Sequence, residues 1–227
     1  MFAFLVNTAT VIVGSSLGLL FGPKLKDKYK SIVLYSLGLV TIVIGVSMAI
    51  KSKSIMLIVG SMILGALGGQ WLAIEERLEK TGEYIKKRAG SSAEQFVLGF
   101  VTASLLFCVG PMTVVGSFED GLYGKGELIY IKSLMDGFAS IALSAALGAG
   151  VLFSAIIVLV YQGALTFLAR YLQGALSEPV VNEMSAAGGV IVIGIGINVL
   201  GLARIKVGNM IPALPIAAVL AWLTMGN

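Results

Sequence analysis

The stretch "IKSLMDGFAS", residues 131–140, sets a lysine and an aspartate four positions apart in an otherwise apolar run. Four positions is about one helical turn, so Lys132 and Asp136 share a side and can pair as ions. An ionised carboxylate facing lipid is costly, which places Asp136 against the protein interior, water or a partner. Two kinds of chemistry fit. One is a fixed ion pair, or a carboxylate hydrogen-bonded to a neighbouring span, that only holds helices together. The other is a site where a proton or small ion rests on its way across a membrane.

The segment "CVGPM", residues 108–112, raises a second possibility. Pro111 has no N–H, so the carbonyl of Phe107 loses its helical partner, and Gly110 lets another backbone or a ligand come close. With Met112 these residues form a broken helix, which offers dipoles to an ion or serves only as a packing bend. Just beyond, Gly116, Ser117, Glu119, Asp120 and Gly121 read as an acidic outer vestibule or as a solvated loop. The other polar intruders are Asn7 with Thr8 and Thr10, Gln162 beside Tyr161, Asn182 with Glu183, and Asn198. Such amides glue helices together by hydrogen bonds, or line the same pathway; Glu183 also suits the outer interface. The chain has no histidine and one cysteine, Cys108. No metal site, cofactor site or activated nucleophile is expected, and the chain reads as a non-enzyme.

The elements that hold these residues are set by composition. Hydrophobic residues make up 57% of the 227 and charged residues 12%, with a mean hydropathy of +0.97. That is too little polar surface for a water-soluble globule. The predicted fold class is all-α: a polytopic membrane helix bundle. Apolar stretches fall at 2–21, 31–50, 55–74, 96–116, 128–147, 151–172, 184–202 and 208–225, most near the roughly 20 residues that cross a bilayer core. This predicts about eight spans. Pro111, Pro212 and Pro215 leave room for six or seven with a re-entrant piece. The first stretch lacks the basic lead of a secretory signal peptide and is expected to remain as a span.

The net charge of +4 reports orientation rather than nucleic-acid binding, because the cations sit between spans. Lys24, Lys26, Lys28 and Lys30 follow the first span, and Arg77, Lys80, Lys86, Lys87 and Arg88 follow the third. Those loops are expected to be cytoplasmic, with the amino terminus, the loop at 117–127 and residues 177–179 outside.

Two short words recur. "IVIG" at 42–45 and "VGSMI" at 59–63 are matched by "IVIG" at 191–194 and "VGNMI" at 207–211. Extended backward, the register pairs Gly14 with Gly163. Spans one to three and six to eight would then be copies five crossings apart, hence inverted. The loop after span one has four lysines, whereas its counterpart "LQGALSEPVVNE" is acidic, as inversion requires. The expected organisation is repeat unit one at 1–74, a cytoplasmic amphipathic connector at 75–95, a central span pair with the broken helix at 96–148, and repeat unit two at 149–227. In the connector, Glu76 and Lys80, and Glu83 and Lys87, are spaced for ion pairs, with Leu78 and Ile85 on one side.

The segments "FVTASLLFCVGPMTVVGSFEDGL", "KSLMDGFASI", "LVYQGALT" and "NEMSAAGGVIVIGIGINVLG" resemble, in this order, those of the YqgA/YdfK-like family of bacterial inner-membrane proteins, a domain-of-unknown-function family. The resemblance implies a bacterial multi-span protein without an established reaction, cofactor or substrate. From the residues, the function expected is an integral membrane transporter or channel for a small ion or solute; the alternative is a non-transporting scaffold or sensor. The expected partners are the bilayer, a small ion or solute and a second copy of the chain in a homodimer, and no nucleic acid. The orientation predicts that a cysteine placed at Gly174 is modified by a membrane-impermeant reagent from outside while one at Asp27 is not; the reverse pattern would overturn it.

Overall fold

The computed structural model describes residues 2–24, 26–91, 95–171 and 177–225; Gly174 lies outside them. Among the described residues the chain forms ten α-helices: α1 (Ala3–Phe21), α2 (Asp27–Ala49), α3 (Ile55–Leu72), α4 (Ile74–Arg88), α5 (Phe96–Cys108), α6 (Pro111–Tyr123), α7 (Glu127–Leu147), α8 (Gly150–Leu168), α9 (Glu178–Val199) and α10 (Ala213–Met225). Seven candidate spans are long and apolar enough to cross a membrane; the last includes the 3-10 turn Val207–Met210 that leads into α10. The helices pack as two compact units. One comprises Met1–Leu37, Leu78–Cys108 and Met112–Arg170; the other Gly38–Arg77, Val109–Pro111 and Tyr171–Asn227.

In the first unit α1 and α7 lie side by side in the same direction, because small residues let their backbones touch. A β-carbon on Gly14 would stand 2.4 Å from the carbonyl oxygen of Gly137, and one on Gly18 2.3 Å from that of Ile141. Helix α8 runs the opposite way along α1, with Phe4 against Gly163 and Val11 in a shared core with Val158 and Ala155. Helix α5 begins at the end of α7, where a β-carbon on Gly150 would meet the Phe96 carbonyl oxygen at 1.9 Å. Helix α6 ends at the start of α1, where the Asp120 carboxylate accepts the N–H of Ala3 at 3.0 Å. The bent pair α5–α6 therefore runs the full length of α7 in the opposite sense. Counted as one broken span, with its 58° bend, it brings the crossings to eight.

This corrects two expectations. The fourth span, broken after Cys108, continues beyond 116 as a helix to Tyr123, and that helix takes in Gly116 to Gly121, where a vestibule or solvated loop was expected, and most of the expected loop at 117–127. The reason is the residues themselves: Thr113, Ser117 and Asp120 repeat at helical spacing and are all buried. The charged stretch after α3 forms the helix α4, whose Leu78 and Ile85 are half-buried and whose Gly82 lies against the Phe100 ring.

In the second unit α2 and α9 cross in opposite directions. A β-carbon on Gly45 would stand 2.7 Å from the Gly189 carbonyl oxygen, and one on Gly196 2.6 Å from the Ile42 side chain. Helices α3 and α10 do the same, with Gly65 on Ala213 and Gly69 on Asn209. Ala73, with φ 51°, turns the chain from α3 directly into α4. The turn is clamped by Asn209, whose side chain accepts the Glu75 N–H at 2.7 Å and donates to Gln70 at 2.9 Å. Lys206 pairs with Glu76, the residue expected to pair with Lys80. The hydrogen bond to Lys206 holds the Glu76 carboxyl below the usual carboxylate range. A depressed folded value means that its stabilising contribution is present at neutral pH and fades as pH falls through that value.

The neighbouring glycines 68 and 69 test this packing. A β-carbon on Gly69 would lie 1.9 Å from the carbonyl oxygen of Asn209, a backbone atom, whereas one on Gly68 meets nothing within 4 Å. Gly69→Ala should destabilise the protein by about 1–3 kcal/mol and Gly68→Ala should be neutral or slightly stabilising, as read by thermal unfolding in detergent.

Candidate functional site

Four side chains from three helices meet inside the first unit. Lys132 and Asp136 lie one turn apart on α7, Asn7 on α1 and Gln162 on α8. Asn7 and Gln162 are fully buried, and Lys132 and Asp136 are 6% and 7% exposed. Lys132 Nζ donates to Asp136 Oδ2. Asn7 Nδ2 donates to the same oxygen at 3.0 Å and to Gln162 Oε1 at 3.1 Å. The geometry follows from the close approach of α1 to α7, which brings the short Asn7 amide within reach of a carboxylate on the neighbouring helix.

The orientation of the amides is forced. An ionised carboxylate only accepts hydrogen bonds, so Asn7 must turn its NH2 toward Asp136. That same NH2 then draws the carbonyl end of Gln162. The consequence is that Asn7 Oδ1 and Gln162 Nε2 are both buried without a hydrogen-bond partner among the described residues. An unmet buried acceptor and an unmet buried donor each cost about 1–3 kcal/mol. The cluster is thus electrically balanced, one cation against one anion, but not saturated in hydrogen bonds.

The last turn of α5 lies beside this cluster. Lys132 Nζ stands 6.0 Å from the centre of the Phe107 ring, a cation–π contact at the last turn of α5. The Phe107 carbonyl, expected to lose its partner to Pro111, accepts the Thr113 hydroxyl at 3.1 Å. Thr113 is thus a residue that the sequence reading missed; a threonine just after Pro111 was the available signal. Among the described residues no backbone approaches Gly110: nothing lies within 4 Å of a β-carbon there. Met112 is half-buried, and Pro111 contributes the first residue of α6.

The remaining expected residues take other positions. Asp120 is fully buried and caps the start of α1. In the second unit Glu183 is also fully buried. It accepts the Ser52 hydroxyl at 2.5 Å and the Lys53 N–H at 2.7 Å, and so fastens the turn between α2 and α3 to α9. Asn182 beside it is half-buried. Asn198 closes the loop after α9 by donating to the Ile205 carbonyl at 2.7 Å and accepting its N–H at 2.8 Å. Glu75 and Asn209 were not singled out, although Asn209 occupies the one polar position of a repeated word.

A double-mutant cycle reads the energetics of the pair. Asp136→Asn alone strands the Lys132 ammonium and should cost about 3–5 kcal/mol. Adding Lys132→Met should restore most of that loss in thermal unfolding. Equal destabilisation by the single and double variants would show that the ion pair does not hold α7 in place.

Comparison with known proteins places the chain among proteins of undetermined role. A family model described as "Protein of unknown function (DUF554)" matches residues 2–222. The chain is 29% identical over 227 residues to the "Uncharacterized membrane protein YdfK" of Bacillus subtilis (strain 168), covering 98% of this chain and 96% of that protein. It is 25% identical over 224 residues to the "Uncharacterized protein YqgA" of Escherichia coli (strain K12), covering 96% and 95%. No solved structure matches. With its apolar helices and a family match over nearly the whole chain, this is a multi-pass membrane protein that belongs to the DUF554 family of proteins of unknown function.

Proposed function

We propose that this protein moves a small ion or small solute across the bacterial cytoplasmic membrane, as a transporter or channel, through the polar interior of the first unit. The observation that carries the proposal is the Asp136 cluster: a carboxylate among apolar helices, held by Lys132 and Asn7, beside an amide oxygen and an amide nitrogen with no partner among the described residues. A device meant only to hold helices together would gain by saturating those atoms. The broken span supports the reading, because α5 ends with Phe107 beside Lys132 and the end of a broken helix offers its dipole to a charge.

The helix pairing supports an inverted repeat. Each proposed copy packs on its counterpart in the opposite direction: α1 on α8, α2 on α9 and α3 on α10. The α2–α9 crossing is centred on the two "IVIG" words, with Ile42 against Gly196 and Gly45 against Gly189. In the third pair Gly65 meets Ala213, each two residues past its own word. Helices related by an in-plane two-fold meet in this way, and such repeats recur in secondary transporters. The orientation that goes with it has the amino terminus outside, and a homodimer, checked by detergent-corrected mass, completes the proposed assembly. No reacting group accompanies the acids, which favours transport over catalysis.

Reconstitution tests the proposal. Proteoliposomes should show flux above empty vesicles in a screen with a pH dye and a panel of ions. The charge-free variant Lys132→Met with Asp136→Asn should fold and fall to background. Wild-type flux in that variant would remove Asp136 from the mechanism, and a wild type inert across the panel would favour a scaffold held together by a closed ion pair.

A further inference from the structure

We infer that the cavity at the joined ends of α1 and α7 is a binding site for the headgroup of an anionic phospholipid, with Lys30 receiving its phosphate. The inference does not depend on the transport reading, since a carrier and a scaffold can each hold a lipid. The cavity is open on one side and has a volume of about 530 Å3, in the range of small-ligand pockets. It arises from the way the two helices part. A β-carbon on Gly22 would stand 2.8 Å from the Ala145 carbonyl oxygen, so α1 and α7 stay in contact to their last turns. Gly148, with φ 81°, then turns one chain toward α8, while the 3-10 turn Gly22–Lys24 leads the other toward α2. Lys30, in the first turn of α2, and Gln95, just before α5, wall the space between them. All of these residues belong to the first unit.

Charge makes the ligand an anion. Residues 24–30 carry four lysines against one aspartate, and the start of α2 adds partial positive charge beside Lys30. The ends of α1 and α7 bring partial negative charge to the same region, about half a unit each, which the lysines outweigh. A phosphate oxygen can accept from the Lys30 ammonium and from the exposed Gln95 amide, both of which are donors.

The remaining walls and the level of the cavity make that anion part of a lipid. Leu19, Ala145 and Leu147 line it with apolar surface, which does nothing for an inorganic ion but covers the glycerol and first methylenes of a phospholipid. The candidate spans Ala3–Lys24 and Glu127–Leu147 both stop here, and headgroups lie where apolar spans stop. Tyr29, half exposed, with Lys28 over its ring at 5.0 Å, is the kind of residue that sits at this interface. Basic pockets between membrane helices hold anionic headgroups in this way.

The test uses the full-length protein purified in detergent, with dioleoylphosphatidylglycerol as the anionic probe and dioleoylphosphatidylcholine as the neutral one. Native mass spectrometry counts bound lipid, and melting curves read the stabilisation. Wild type should retain phosphatidylglycerol in preference and melt higher in its presence. Lys30→Gln should weaken that binding about fivefold, and Lys30→Arg should keep it. Lys86→Gln, which removes the same charge from α4, should leave it unchanged. Gln95→Trp narrows the cavity without altering charge; it should also lower binding, and it carries the test if Lys30→Gln does not fold. Equal retention of the two lipids, equal losses in Lys30→Gln and Lys86→Gln, or undiminished binding in Gln95→Trp would each overturn the inference. So would inorganic phosphate, compared with chloride at the same ionic strength, raising the melting temperature as much as phosphatidylglycerol does, because the site would then take a free anion.

Discussion

Hydrocarbon offers neither water nor counter-ions, so a carboxylate buried there stays ionised only if the protein supplies what water would have supplied. Much of the first unit follows from meeting that demand for Asp136. Lys132 must lie one turn away to neutralise it. Asn7 must come close enough to donate, which requires α1 to lie against α7 at backbone distance, and Gln162 must brace Asn7 from a third helix. The small residues along α1, among them Gly14 and Gly18, are the condition for this arrangement, since a side chain at either position would hold the helices apart.

The same demand is met differently in the second unit. Glu183 is as deeply buried as Asn7, yet it faces a hydroxyl and a backbone N–H instead of an ammonium. These donors come from the turn between α2 and α3, so the acid serves as a fastener for a connection. Asn209 does comparable work at the turn between α3 and α4. These two buried acids therefore differ in kind: Asp136 is balanced by an ammonium, Glu183 by a backbone N–H and a short side chain.

Local spacing was legible in the sequence, and distant meeting was not. Lys132 and Asp136 announce their contact because four residues make about one helical turn, and the spans announce themselves by length and hydropathy. Nothing local says that Asn7 and Gln162, separated by 155 positions, bond each other beside the carboxylate that Asn7 also meets, because every span here is apolar all round and the face that turns inward carries no strong periodic mark. The break at Pro111 was visible as the loss of one N–H. What repairs it, the Thr113 hydroxyl, depends on a bend angle that no pattern of letters specifies. The stretch after the break was misread for a related reason: acids and glycines suggest a loop, yet Asp120 is buried because the start of α1 needs an acceptor.

That bend also works as a lever. Helix α6 has 13 residues, so its far end lies about 20 Å from the break. A change of roughly 10° in the angle would sweep that end through about 3 Å, as far as the entire Asp120–Ala3 hydrogen bond is long. Asp120 either drags the first turn of α1 along or lets go of it, and Asn7 sits one turn further along that same helix. A small change in the direction of α6 would thereby reach, through Ala3, the amide that holds Asp136.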